Sequence, residues 1–162
     1  MKIPTTVILS ILALIMQATL MEKISIAGAK PDLLFLLAAY VAFEAYEIPN
    51  GLVGCWIVGM VKDIGSFGGL GGFALLFLIV GYMIMLVRNL FFRGDILMQS
   101  LIICGGSVLV NIIYAFFVLL AGNISFGEML FRSFAISLYT MAVSMVITIC
   151  INRIRMNTIE YY

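Results

Sequence analysis

Residues 54–71 read GCWIVGMVKDIGSFGGLG, and this stretch decides the fold. An apolar run ends in the neighbouring charges Lys62 and Asp63, and a glycine-dense segment follows. Charged side chains and unrestrained backbone are both costly next to hydrocarbon. Only 10% of the chain is charged, so we expect the place where it concentrates charge and glycine to matter for its function.

The composition predicts an integral membrane protein. The 162 residues are 64% hydrophobic, with a mean hydropathy of +1.21, whereas a soluble domain carries roughly a quarter charged residues. A transmembrane helix needs about 20 residues, so about six spans use nearly the whole chain. We therefore expect an all-α bundle of about six transmembrane helices in a single transmembrane domain, residues 1–162. The expected spans are residues 4–21, 51–61, 73–87, 96–121 and 129–151, together with a second span that begins near residue 33 and fades at Glu44 and Glu47. We expect a loop over residues 88–95 and a tail from residue 152. No small-x-small cleavage pattern closes the first run, so we expect an uncleaved span.

Several classes of function lack the residues that they need. The chain has no histidine, which excludes a Ser–His–Asp triad, histidine-containing zinc sites and histidine-ligated haem. Cys55, Cys104 and Cys150 are far apart, which predicts small buried side chains rather than a metal site or disulfides. A net charge of +1 provides no basic surface for nucleic acid. We expect no enzyme, no cofactor and no metal, and we assign Glu44 and Glu47 to a solvated helix end.

The positive residues indicate an orientation. An even number of spans puts both termini on one side, together with Lys2, Arg88, Arg93, Arg153 and Arg155, and leaves Lys23, Lys30, Lys62 and Arg132 on the other. Since Lys and Arg are retained on the cytoplasmic side during insertion, both termini of this multi-pass protein are predicted to be cytoplasmic.

Small and hydroxylated residues mark the helix faces that meet. They recur at helical spacing as Thr6, Ser10, Ala13 and Gln17; Ala38, Ala42 and Ala45; Ser107 and Asn111; and Ser133, Ser137, Thr140, Ser144 and Thr148. Such faces allow close packing of helices, although a polar stripe also suits a substrate path. Gly51, Cys55, Gly59 and Asp63 form a similar ridge on the third span, whereas we expect Ala74 to face lipid.

The candidate residues for partner binding or helix packing include two members of this ridge. They are Pro31, Asp32, Gly59, Asp63, Ser66, Gly69 and Gly71. The sequence leaves two interpretations of Asp63 open, pairing with Lys62 at the interface or recognition of a partner. Pro31-Asp32 is a common helix start, and we expect Asp32 on the same side of the membrane as Asp63. Ser66 either caps the next helix or closes a turn. The glycines do not form a phosphate loop, because no Gly-Lys-Ser/Thr follows.

The sequence resembles the family of the rod shape-determining protein MreD. The resemblance is carried by Pro31, Leu33 and Tyr40, then by Gly59, Asp63, Ser66, Leu70 and Gly71, and by Tyr82. Family members similarly run from a glycine-spaced third helix into an Asp-Leu-x-Ser-Gly-x-x-Leu-Gly segment. Two positions depart from the pattern: Phe67 stands where the family often has glycine, and Cys55 where it often has another small residue.

The resemblance implies a non-catalytic inner-membrane scaffold of the bacterial elongation machinery. Its partners would be the single-span protein MreC and, indirectly, the glycosyltransferase RodA and a class B penicillin-binding protein, in cell-wall synthesis and rod-shape maintenance. Membrane lipid and a second copy of the chain are further expected contacts. Such proteins also resemble in fold the substrate-binding components of energy-coupling-factor vitamin transporters, which gives the alternative function. Those components commonly carry Ala-x-x-x-Ala in the first span, and Ala13 and Ala18 do not have that spacing.

Overall fold

The computed structural model describes residues 3–19, 30–66, 71–90, 96–120 and 126–159. In these ranges the chain forms α1 (Ile3–Thr19), α2 (Leu33–Glu44), α3 (Ile48–Gly65), α4 (Gly72–Leu90), α5 (Ile96–Leu120) and α6 (Phe126–Ile159). The predicted all-helical fold is confirmed. Helix α2 begins at Leu33 as predicted and ends at Glu44, the first of the two glutamates at which the second span was expected to fade. The prediction of a tail from residue 152 is wrong, because α6 continues to Ile159. The prediction of a loop from Arg88 is also wrong, because α4 includes Arg88 in its last turn.

Two of these helices, within the described residues, are long and apolar enough to cross a membrane: Leu97–Phe116 in α5 and Leu130–Ile149 in α6. The apolar helices Ile3–Thr19, Leu33–Glu44 and Gly72–Arg88 are shorter. The 34 residues of α6 correspond to about 51 Å at 1.5 Å per residue, whereas a hydrocarbon core is about 30 Å thick. The apolar segment of α6 is therefore only part of a helix that is longer than the hydrocarbon core is thick.

Helix α2 lies at the centre of the bundle. It packs against α1, α3 and α4 and also touches α5 and α6. Leu34, Phe35, Ala38, Ala39 and Ala42 are each at most 3% exposed. A helix that is covered on all sides needs no polar face, which explains the uniformly apolar sequence of α2.

The ridge on α3 packs against α4, and the two helices are antiparallel. A Cβ atom added to Gly51 would collide with Met85, and one added to Gly81 would lie 2.6 Å from the sulfur of Cys55. The thiol of Cys55 donates a hydrogen bond to the carbonyl of Ala38 on α2 (3.4 Å). Small residues at these positions therefore allow α2, α3 and α4 to approach closely.

Gly59 continues this contact at the start of α4. A Cβ at Gly59 would lie 2.5 Å from the Cα of Ala74 and 2.8 Å from the carbonyl oxygen of Phe73. Ala74 is only 1% exposed. The prediction that Ala74 faces lipid is wrong, because this alanine is the surface on which Gly59 packs.

Helices α5 and α6 form an antiparallel hairpin with a buried stripe of hydroxyl groups. Ser107, Ser133, Ser137, Thr140 and Ser144 are all at most 3% exposed. The hydroxyl groups of Ser137, Thr140 and Ser144 donate to carbonyl oxygens of their own helix at 2.8 Å. The stripe therefore meets its hydrogen-bonding needs locally and lets the helices pack closely.

Candidate functional site at the Asp32 and Asp63 end of the bundle

Asp63 holds the turn from α3 into α4. Its carboxylate accepts hydrogen bonds from the backbone N–H groups of Gly71 (3.0 Å), Phe73 (2.9 Å) and Ala74 (3.1 Å). The residue is 2% exposed. The first N–H groups of a helix have no partner within it, and a carboxylate at this end also interacts favourably with the helix dipole. Asp63 therefore caps α4 from the end of α3 and fixes one helix on the other.

Gly71 gives the turn its shape. Its φ of +106° lies in a region that residues with a Cβ rarely adopt. Its N–H points at the carboxylate of Asp63 in this conformation. Gly69 lies outside the described residues.

Ser66 is the C-cap of α3 and closes a turn there. Its N–H donates to the carbonyl oxygens of Lys62 (2.9 Å) and Asp63 (3.2 Å), and its hydroxyl donates to the same backbone carbonyl oxygen of Asp63 (3.3 Å). Of the two roles open for Ser66, the structure shows the turn, since Asp63 supplies the cap of α4.

Asp32 lies at the start of α2 and joins α2 to α3 and α6. One carboxylate oxygen accepts from the N–H of Phe35 (3.1 Å), which is the N-cap that the sequence predicts. The other oxygen forms an ion pair with the ammonium group of Lys62. The backbone N–H of Asp32 donates to the hydroxyl oxygen of Thr140 (3.1 Å). Pro31, which precedes it, is fully buried.

Lys62 is enclosed by its carboxylate partner and two aromatic rings. Its ammonium nitrogen lies 4.2 Å from the ring centre of Phe73 and 5.0 Å from that of Phe77. Phe73 in turn stacks on Tyr114 of α5, with ring centres 4.6 Å apart. The interpretation of Asp63 as the partner of Lys62 is wrong, because Lys62 reaches across to Asp32 instead.

Sequence reasoning missed several residues that complete this end of the bundle. Gln17 on α1 accepts a hydrogen bond from the N–H of Leu34 (3.3 Å). With Thr140 and Tyr114 it extends the contacts of the site to all six helices. Gln17 and Thr140 stand out in the sequence as members of polar stripes, but nothing there shows that Thr140 meets Asp32.

Arg88 holds the opposite end of α2. Its guanidinium donates to the carbonyl oxygens of Ala42 (2.6 Å) and Phe43 (3.0 Å), and the residue is 5% exposed. These carbonyls belong to the last turn of α2, where a positive charge is favourable. In the sequence, Arg88 stood out only as one of the positive residues that indicate the orientation of the chain in the membrane.

The chemistry of the site is that of a structural junction. Asp63 directs its oxygens at backbone N–H groups, and Asp32 and Lys62 satisfy each other. Among the residues that the structure describes, no group of three or more Cys, Asp or Glu side chains is placed to hold a metal ion. A buried carboxylate that is fully engaged in this way positions helices, and the partner-binding role predicted for these residues stays a prediction.

A comparison with protein families finds one match across nearly the whole chain. The family described as rod shape-determining protein MreD matches residues 2–159. This confirms the resemblance read from the sequence. No curated protein and no solved structure matches.

Proposed function

We propose that the chain, which belongs to the family of the rod shape-determining protein MreD, is a non-catalytic scaffold of the bacterial elongation machinery. The proteins of this family are membrane-associated and have a structural role in rod-shape determination. In this proposal all six helices form one transmembrane domain over residues 1–162, with both termini in the cytoplasm. The scaffold binds MreC, and through it supports RodA and a class B penicillin-binding protein in cell-wall synthesis. It contacts membrane lipid, and a second copy of the chain is a further candidate partner.

The main observation behind the proposal is that the buried charged side chains bond to other groups of the same chain. Asp63 accepts hydrogen bonds from three backbone N–H groups, and Asp32 is paired with Lys62. A proton-transfer site needs a group that is within reach of a substrate, whereas these groups reach other helices of the same chain. This arrangement favours a rigid surface that other proteins bind over a site of chemistry.

The exposed apolar residues support a position among lipids and partner helices. Ile8, Ile64, Leu97, Phe131 and Leu138 are each more than 60% exposed, and they lie on four of the six helices. Such a surface suits hydrocarbon or the transmembrane helix of a partner.

Substitutions of Asp63 test whether the capped turn is needed for docking. Asp63→Asn keeps one acceptor oxygen for the N–H groups of α4, whereas Asp63→Leu leaves all three without a partner. Each buried N–H left unsatisfied costs roughly 1–3 kcal/mol. We expect Asp63→Asn to retain part of the MreC that co-purifies with the wild type and Asp63→Leu to lose it. If both variants retain the complex but fail to restore rod shape in cells, the carboxylate has a chemical role and the scaffold proposal is wrong.

The transporter alternative makes a different prediction. A substrate-binding component retains a vitamin-sized molecule through purification and gains thermal stability when that molecule is added. We expect co-purification of MreC and no such molecule. A stoichiometric small molecule without a protein partner would support the transporter instead.

A further inference from the structure

A cavity of about 290 Å³ lies between α1, α2, α5 and α6, and Leu33, which follows Asp32 in the chain, lines it. Apolar side chains dominate its lining, among them Leu12, Ala13, Leu36, Leu37 and Ile103. Leu12 on its rim is 54% exposed. The cavity therefore opens sideways, through the outer surface of the bundle, rather than through one of its ends.

Four polar residues line the cavity: Tyr40, Gln99, Thr148 and, one turn before Thr148, Ser144. Leu33 lies next to Asp32, whose N–H contacts Thr140 in the middle of the apolar segment Leu130–Ile149. Tyr40 lies seven residues further along α2, about 10 Å away at 1.5 Å per residue. Two further lining residues lie towards the same side, because Gln99 is near the start of α5 and Thr148 is near the end of the apolar segment of α6. The cavity thus runs from the middle of the apolar thickness towards the side where α2 ends and α5 begins.

The volume suits a hydrocarbon chain. An apolar cavity of about 150 Å³ binds one benzene molecule, which has six carbon atoms. A cavity of about 290 Å³ therefore has room for roughly a dozen carbon atoms, which is most of an acyl chain.

We propose that this cavity holds one acyl chain of a phospholipid from the leaflet on the side of the two chain termini. The terminal methyl group lies near Leu33 and Met16, and the ester end lies near Tyr40, Gln99 and Thr148. The polarity of the lining changes along the cavity in the same direction as that of a lipid in one leaflet. This inference rests on the proposed membrane position and goes beyond the proposed scaffold function.

Photo-crosslinking in vesicles tests the site directly. The full chain is reconstituted into phosphatidylethanolamine vesicles containing phosphatidylglycerol with a diazirine at the acyl terminus, irradiated, and mapped by peptide mass spectrometry. We expect labelling concentrated on the peptides around Met16 and Leu33. A diazirine near the ester should shift the label to the peptides around Tyr40 and Thr148.

Matched variants on α1 show whether the label comes from the cavity. Ala13 lines the cavity and Ala18 is exposed outside it. Ala13→Phe fills the space and should lower labelling several-fold, whereas Ala18→Phe should leave it unchanged. If Ala13→Phe does not fold, Leu37→Trp fills the same space from α2.

Even labelling of all exposed apolar faces, unaltered by Ala13→Phe, would overturn the proposal. Displacement of the label when MreC is bound would also overturn it, because the cavity would then belong to the partner. Co-purification of MreC is measured in parallel. Loss of labelling with MreC retained counts against the lipid site alone, and loss of MreC with labelling retained counts against the scaffold alone.

Discussion

The close contact between Gly59 and α4 makes a quantitative prediction about the stability of the bundle. Adding a methyl group in Gly59→Ala brings a Cβ to 2.5 Å from the Cα, and 2.9 Å from the N, of Ala74. Both are backbone atoms, which cannot rotate away as a side chain does. Ordinary contacts begin near 3.4 Å, so α3 and α4 must separate by about 0.9 Å (3.4 minus 2.5).

Gly105 on α5 provides the matched control. It lies inside a helix like Gly59, but a Cβ there meets nothing within 4 Å. Both substitutions gain up to about 1 kcal/mol of helix propensity. Only Gly59→Ala has the overpacking penalty, which is typically 1–3 kcal/mol. The difference between the two variants therefore isolates the steric cost.

The free energy of unfolding can be measured by titrating the purified protein in mild detergent with sodium dodecyl sulfate. Trp56 is the only tryptophan of the chain and lies on α3, so its fluorescence reports on the helix that is perturbed. We expect Gly59→Ala to be less stable than Gly105→Ala by about 1–3 kcal/mol, where about 1.4 kcal/mol is tenfold in the equilibrium constant. Equal stability of the two variants would refute the close contact of α3 with α4. Gly59→Leu should unfold at still lower detergent concentration.

Three further predictions concern the charges. Removing one partner of the buried pair, in Lys62→Met or Asp32→Asn, should lower the free energy of unfolding by about 3–5 kcal/mol, and the double variant should lower it by less than the sum of the two. Additive effects in the same unfolding assay would show that the two residues do not interact. Arg88→Met leaves the last carbonyls of α2 without a donor and should destabilise the bundle by about 1–3 kcal/mol, with Arg88→Lys in between; a wild-type melting temperature for Arg88→Met would contradict the capping role. For topology, single cysteines in a cysteine-free background at positions 27 and 123 should react with an impermeant reagent added to intact cells, and one at position 91 should not; labelling at position 91 would reverse the orientation.

The helices were predictable from the sequence because each contains an apolar run bounded by charges, glycine or proline. The second run predicted the start of α2, which Asp32 caps, and placed its end between Glu44 and Glu47, and the helix ends at Glu44. The end of α6 was not predictable in the same way. Its last residues are polar, and polarity ends an apolar run without ending a helix.

The site was predictable in its residues but not in its pairings. Spacing placed Asp63 at the end of a packing ridge, and the helix-start pattern placed Asp32 at the cap of α2. Which carboxylate meets Lys62 depends on how α2 lies against α3, and that is a tertiary contact without a local signal. The prediction that Ala74 faces lipid was wrong for the same reason. The local sequence around an alanine near the start of a helix does not show whether the alanine faces lipid or a neighbouring glycine.

The central claim, that the chain is a scaffold in the membrane, is tested most directly by co-purification from the native membrane in mild detergent. The wild-type chain and the Gly59→Leu and Gly105→Ala variants are purified in parallel, and MreC is quantified in each by mass spectrometry. We predict stoichiometric MreC with the wild type and Gly105→Ala, and loss of MreC with Gly59→Leu, whose helix contacts are disrupted. Recovery of the folded wild-type chain without MreC, and with a bound vitamin-sized molecule instead, would contradict the account.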